Sequence, residues 1–126
     1  MNHLGYVRVM CATPSLKVGN CTYNGEQICE IIKQAQNKQC DLLVFPELAT
    51  TGYTCGDLFF QQTLLDASDR ALKQIAKATQ ACDVIVLVGV PVRGQSGVLY
   101  NAAAVIYGGQ VKAFVPKCNL PNYGGL

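Results

Sequence analysis

Glu47 is the residue whose neighbours best equip it for chemistry. It follows Asp41-Leu42-Leu43-Val44-Phe45, a run with almost no polar alternation that reads as a short strand covered on both faces. Pro46 then cannot donate to a sheet ladder and biases the residue before it towards extended backbone. This order delivers a carboxylate at the carboxyl end of a strand, the edge where open α/β sheets bind ligands. A carboxylate held there beside apolar side chains is partly desolvated, which raises its proton affinity and suits it to general-base work. The alternative is a solvated loop acid. Thr50, Thr51 and Gly52 read as a turn, and Tyr53 places a phenol six residues after the acid.

The seven cysteines, at positions 11, 21, 29, 40, 55, 82 and 118, are odd in number and contain no C-x-x-C pair; the single histidine is His3. Neither a zinc site nor a disulfide framework fits that pattern, and a reducing, cytoplasmic setting is the simplest account. Net charge is +2, without a Lys/Arg cluster or an interleaved aromatic stripe, so neither nucleic acid nor an anionic membrane is an expected partner. The amino terminus lacks the basic and apolar regions of a signal peptide, and no apolar run approaches the ~20 residues needed to span a bilayer.

The 126 residues, half of them hydrophobic, make one domain or a piece of one. Tyr6 to Ala12 alternate as a first strand. Asn24 is positioned to cap a helix with Gln27 at its third position, and Ile28, Ile31, Ile32 and Ala35 form its apolar stripe, ending near Lys38. After the strand leading to Glu47, a second helix runs from about Asp57 to about Gln80. Its inward face is Leu64, Leu65, Leu72, Ile75, Ala76 and Thr79, with Lys73 and Lys77 in water. Val84 to Val90 is the most continuous β-branched run and reads as a fully buried central strand. Gly94 to Gly97 turn the chain. Leu99–Tyr107 and Gln110–Val115 form a hairpin about Gly108 and Gly109, closing at Pro116 and Lys117. The order β-α-β-α-β-β-β predicts an α/β fold with a mixed sheet and helices on one face.

Phe45-Pro46-Glu47-Leu48, Thr51-Gly52-Tyr53, Asp57-Leu58-Phe59, Val88-Gly89-Val90-Pro91-Val92, Leu99-Tyr100-Asn101-Ala102-Ala103-Ala104-Val105 and Pro116-Lys117 with Leu120-Pro121-Asn122-Tyr123 stand in the order found in one family. The sequence resembles the carbon-nitrogen hydrolase (nitrilase) superfamily and, more narrowly, the amino-terminal glutaminase domains of glutamine-dependent NAD(+) synthetases. The resemblance implies that residues 1–126 are the amino-terminal portion of such a domain, without the synthetase domain. The implied fold is the first half of a four-layer α-β-β-α sandwich.

The resemblance also implies roles. Glu47 falls on the general base, and Lys117 on the lysine that stabilises the negative charge of the tetrahedral intermediate. Tyr53 and Tyr123 fall on positions lining the glutamine pocket. In the family a cysteine attacks the glutamine side-chain amide, a thioester forms as ammonia leaves, and water then releases glutamate. That cysteine lies downstream of the lysine, so no nucleophile is expected among these 126 residues. Cys118 adjoins Lys117 on an extended segment and should point the other way; Cys55 is the remaining candidate; Cys29, Cys40 and Cys82 read as inert helix-associated thiols. Where the family carries a second glutamate and a phenylalanine, this sequence has Gly125 and Leu126.

No cofactor or metal is expected for this portion, whereas ATP and magnesium would serve the implied synthetase domain. Glutamine is the expected ligand. Exposed inner faces and strand edges predict a homo-oligomer or pairing with a complementary domain, and a chain inactive by itself. The competing readings are a stand-alone amidase or carbamoyl hydrolase of the same superfamily and a non-catalytic oligomerising remnant.

Overall fold

The computed structural model describes residues 5–46, 49–51, 62–94, 97 and 99–119, with the side chains of 118 and 119 excepted. The elements are β1 (Val9–Cys11), α1 (Cys21–Asn37), β2 (Leu42–Val44), α2 (Gln62–Ala78), β3 (Ile85–Arg93), β4 (Leu99–Tyr107) and β5 (Gln110–Asn119). The strands lie in chain order in one sheet, with β1, β2 and β3 parallel and β3, β4 and β5 antiparallel. Parallel neighbours need crossovers, which α1 and α2 supply. The predicted order and the mixed sheet are both observed.

Ile28, Ile32 and Ala35 of α1 and Leu72, Ile75 and Ala76 of α2 share one buried cluster with Leu43, Val86, Val88, Val90, Ala104 and Ile106. Both helices therefore pack on one face of the sheet. Val86 pairs with Ile106, Val88 with Ala104 and Val90 with Ala102, and this set points to the helices. The alternate set, in which Leu87 pairs with Val105 and Gly89 with Ala103, points away. On that second face Leu42, Val44, Ile85 and Leu87 are only half-buried. The expectation of strands covered on both faces thus holds for one face of β2 and β3.

Three local readings are corrected. Asn20, rather than Asn24, caps α1, its side chain accepting from the Tyr23 N–H at 3.0 Å. β1 is limited to Val9–Cys11, because the short β2 offers it only three rungs. β5 continues past Pro116 to Asn119. Ala102 pairs with Pro116 and Asn101 with Cys118, so Lys117 is the extra residue of a bulge. Proline is tolerated there because β5 is the last strand in the order and need not donate outward.

The hairpin forms as predicted, with Gly108 and Gly109 at φ +61° and +86°. The Gly109 N–H donates to Thr79 Oγ1 at 2.9 Å, and that hydroxyl donates to Ala76 O at 2.7 Å, which ties the turn to the end of α2. The α2 stripe is buried as predicted, with Lys73 and Lys77 exposed; its predicted beginning at Asp57 lies outside the described residues. Among the described residues no helix is long and apolar enough to cross a membrane.

Candidate active site

The segment after β2 is held by its surroundings. The Phe45 N–H donates to Leu87 O at 2.9 Å, and the Ala12 N–H to Val44 O at 2.9 Å, so the end of β2 is secured from both sides. Beyond it Ala49, Thr50 and Thr51 are wholly buried, and a buried backbone must find partners within the protein. The partners come from elements distant in sequence. Asn24 Nδ2 donates to Thr50 O at 3.0 Å and to Lys17 O at 2.8 Å, while Asn24 Oδ1 accepts from the Lys17 N–H at 2.7 Å. The Thr50 and Ser68 hydroxyls share a hydrogen bond of 2.7 Å, and the Gly19 N–H donates to Thr51 O at 2.7 Å. Stretches on both sides of Glu47 are therefore fixed to α1, α2 and the loop before α1. Glu47 lies outside the described residues.

A cavity of about 80 Å³ opens at the end of β2. Its described lining comprises Val44, Phe45, Pro46, Leu87, Gly89, Asn101, Ala102, Ala103 and Lys117. Gly89 and Ala103, paired across β3 and β4, leave the space that larger side chains would fill. Lys117 reaches this lining from the bulge of β5, bringing an ammonium with three N–H donors. Asn101 is 4% exposed, and its Oδ1 is, among the described residues, the buried side-chain acceptor with no hydrogen-bond partner. The cavity thus combines apolar walls, one cation and one neutral amide. Sequence reasoning passed over Asn101 as a site residue. The signal was a polar side chain at an alternate position in the otherwise apolar run Tyr100 to Ile106.

Of the sequence-predicted site residues, Lys117 is brought beside Phe45 and Pro46, the two residues preceding Glu47 in the chain. Tyr53, Tyr123 and Cys55, like Glu47, lie outside the described residues, as does the side chain of Cys118. No described cysteine lines the cavity. Cys40 is buried and its thiol donates to Leu42 O at 3.1 Å. Burial pushes the Cys29 and Cys82 thiols up, which favours their protonated form over the nucleophilic thiolate. Among the described residues no group of three His, Cys, Asp or Glu side chains gathers that could hold a metal. A larger recess of about 410 Å³, lined by Gln62, Asp66, Asp69, Arg93 and Phe114 among others, holds charged groups and the Gln62 amide, which donates to Asp66 at 2.9 Å, but no cysteine among its described lining.

A mixed sheet with helices on one face, and a small cavity lined by a cation and an amide on the other, defines a layered α/β protein with a candidate site at the strand ends. The chain belongs to the carbon-nitrogen hydrolase family, whose sequence model matches residues 8–118. A glutamine-dependent NAD(+) synthetase of Mycobacterium bovis is 35% identical over 121 residues, covering 94% of this chain and 17% of the relative. The solved glutamine-dependent NAD+ synthetase of Acinetobacter baumannii, in complex with ADP, superposes with a TM-score of 0.81 at 34% identity, covering 92% of this chain and 22% of that one. An amidase of the nitrilase superfamily from Nesterenkonia shares the fold, with a TM-score of 0.76 at 19% identity over 92% of this chain and 44% of its own. The chain therefore spans about a fifth of the synthetases it matches.

Proposed function

We propose that this chain is the amino-terminal part of a glutaminase domain of the glutamine-dependent NAD(+) synthetase type, and that its cavity receives the side-chain amide of glutamine. The observation that carries this is the meeting of Lys117 with Phe45 and Pro46 at one cavity, in a chain of this family. Glu47 would take the proton of an attacking thiol. Lys117 would face the oxygen that gains charge as the thiol sulfur bonds to the amide carbon. Loss of ammonia leaves a thioester, and water restores the thiol and yields glutamate. Tyr53 and Tyr123 would line the rest of the glutamine site.

The thiol would be the cysteine that the family carries downstream of the lysine, and the described cysteines do not line the cavity. The chain alone would then hydrolyse nothing. Its apolar uncovered face would be completed by a complementary domain or a second copy, and unpaired thiols such as Cys11 and Cys40 suit a cytoplasmic setting. ATP and magnesium would belong to the amidating domain of a whole synthetase. Among the described residues no group of three His, Cys, Asp or Glu side chains gathers that could hold the magnesium.

The test is glutamine titration followed by backbone amide shifts, with ammonia release measured in parallel. Glutamine should move the signals of Phe45, Gly89 and Lys117 while the chain releases no ammonia. Turnover abolished by Glu47→Gln or Lys117→Met would show the chain to be active unaided. Turnover of another amide but not glutamine would favour the stand-alone amidase or carbamoyl hydrolase. Silence of the cavity towards every amide would favour a non-catalytic oligomerising remnant.

A further inference from the structure

The proposed function leaves Asn101 without a task. Asn101 sits on β4 opposite Pro91 and Cys118, on the face turned away from the helices, and its side chain is buried in the cavity wall. An amide oxygen removed from water without a donor is costly, and native proteins keep few of them. Among its described neighbours only Lys117 carries a side-chain donor, and Asn101 Oδ1 has no partner. Gly89, Ala103, Leu87 and Val44 offer no side-chain hydrogen-bonding group, and the β4 backbone groups nearby belong to the ladders with β3 and β5.

The other polar group of the lining is Lys117, which donates and cannot accept. The two groups are complementary to the two ends of a primary carboxamide: its carbonyl oxygen needs a donor, and its N–H needs an acceptor. A cavity of about 80 Å³ has room for a group of two or three heavy atoms, given roughly 30 Å³ for a water in the liquid. We propose that Asn101 is a substrate-binding residue whose buried Oδ1 accepts a hydrogen bond from the N–H of a primary carboxamide seated beside Lys117. This rests on the glutaminase reading above and sharpens it. The site would select the amide over an ester or carboxylate of the same shape, because those lack the N–H and leave the buried oxygen unpaired.

The probes are L-glutamine and L-glutamate γ-methyl ester, titrated into the chain and into Asn101→Leu. Wild type should bind the amide about tenfold more tightly than the ester, the factor one such hydrogen bond carries. In Asn101→Leu that preference should vanish. The variant should also melt no lower than wild type, since an apolar group of similar size replaces an unpaired acceptor. In wild type, which needs no substitution, the side-chain amide signals of Asn101 should shift with glutamine and stay still with the ester. Equal affinity of wild type for the two probes would overturn the proposal. So would an unchanged preference in a variant that melts several degrees lower, which is the signature of a structural asparagine. Amide binding that survives intact in Asn101→Leu would sink this inference alone, whereas a wild type that binds no amide would sink the glutaminase reading with it.

Discussion

On the side of the sheet that α1 and α2 cover, Leu43, Val86, Val88 and Ile106 are sealed from solvent, whereas on the other side Val9 and Val115 are 54% and 52% exposed. The side chains are of one chemical kind on both faces, so composition does not separate them. What separates them is a partner layer. The covered face supplies most of the apolar burial that holds the chain together. The uncovered face carries the cavity, with Lys117 on its bulge and Asn101 with an unpaired acceptor. An antiparallel sheet that lived in water would alternate polar residues outward; Leu87, Ala103 and Val105 do not.

That contrast can be broken most sharply by paired truncations. Leu43→Ala on the covered face should cost about 3 kcal/mol in urea unfolding, from lost burial and the hole left behind. Val105→Ala, on the half-buried opposite face, should cost under about 1 kcal/mol. Equal losses would mean that the second face is already packed. The next largest effect should come from Asn24, which ties Lys17 to Thr50. Asn24→Ala removes all three of its bonds and should cost about 2 kcal/mol. It should also broaden the backbone signals of Ala49 to Thr51, while Asn20→Ala costs about 1 kcal/mol and leaves them sharp.

The difference between these two asparagines shows what was legible in the sequence and what was not. The spacing of Ile28, Ile32 and Ala35, the Gly108-Gly109 turn and the long β-branched run of β3 are local patterns, and local patterns were enough to order the elements. Both asparagines suit a helix start. Only the tertiary contacts of Asn24 with residues seven before and 26 after it disqualify it as the cap, and no local rule contains those. The Lys117 bulge is likewise a matter of register, set by how β5 meets Asn101 and Ala102. Pro116 marks an end only where the strand must donate on both sides, and β5, last in the strand order, runs through it to Asn119. In the site, Lys117 was legible through the family motif. Asn101 was hidden in the same motif, because its unpaired state is a property of the packed cavity.

Smaller effects sharpen the comparison further. Gly109→Ala should cost about 1–2 kcal/mol in unfolding measurements, as φ is +86° and a Cβ would stand 3.2 Å from Gln80 Cγ. The Cys29 and Cys82 thiols should give the smallest effect. Burial raises both, so the folded chain holds these protons more tightly than the unfolded chain does. Their contribution is therefore complete below the ordinary thiol value of 9.0 and is lost as pH rises past it through the folded values. Urea midpoints should fall on raising pH above 9.0, and less so in Cys29→Ala with Cys82→Ala. At pH 8, iodoacetamide should label exposed Cys11 before either of them.

The claim on which the functional reading turns is that the residue after Pro46 and the bulged Lys117 serve one cavity. Carbodiimide coupling tests it without needing turnover: a carboxylate activated at Glu47 joins only an amine within direct reach. Digestion and mass spectrometry should find Glu47 linked to Lys117, with the link lost in Glu47→Gln and suppressed by glutamine. Glu47 joined instead to Lys17 or Lys38, with Lys117 unmodified, would contradict the account.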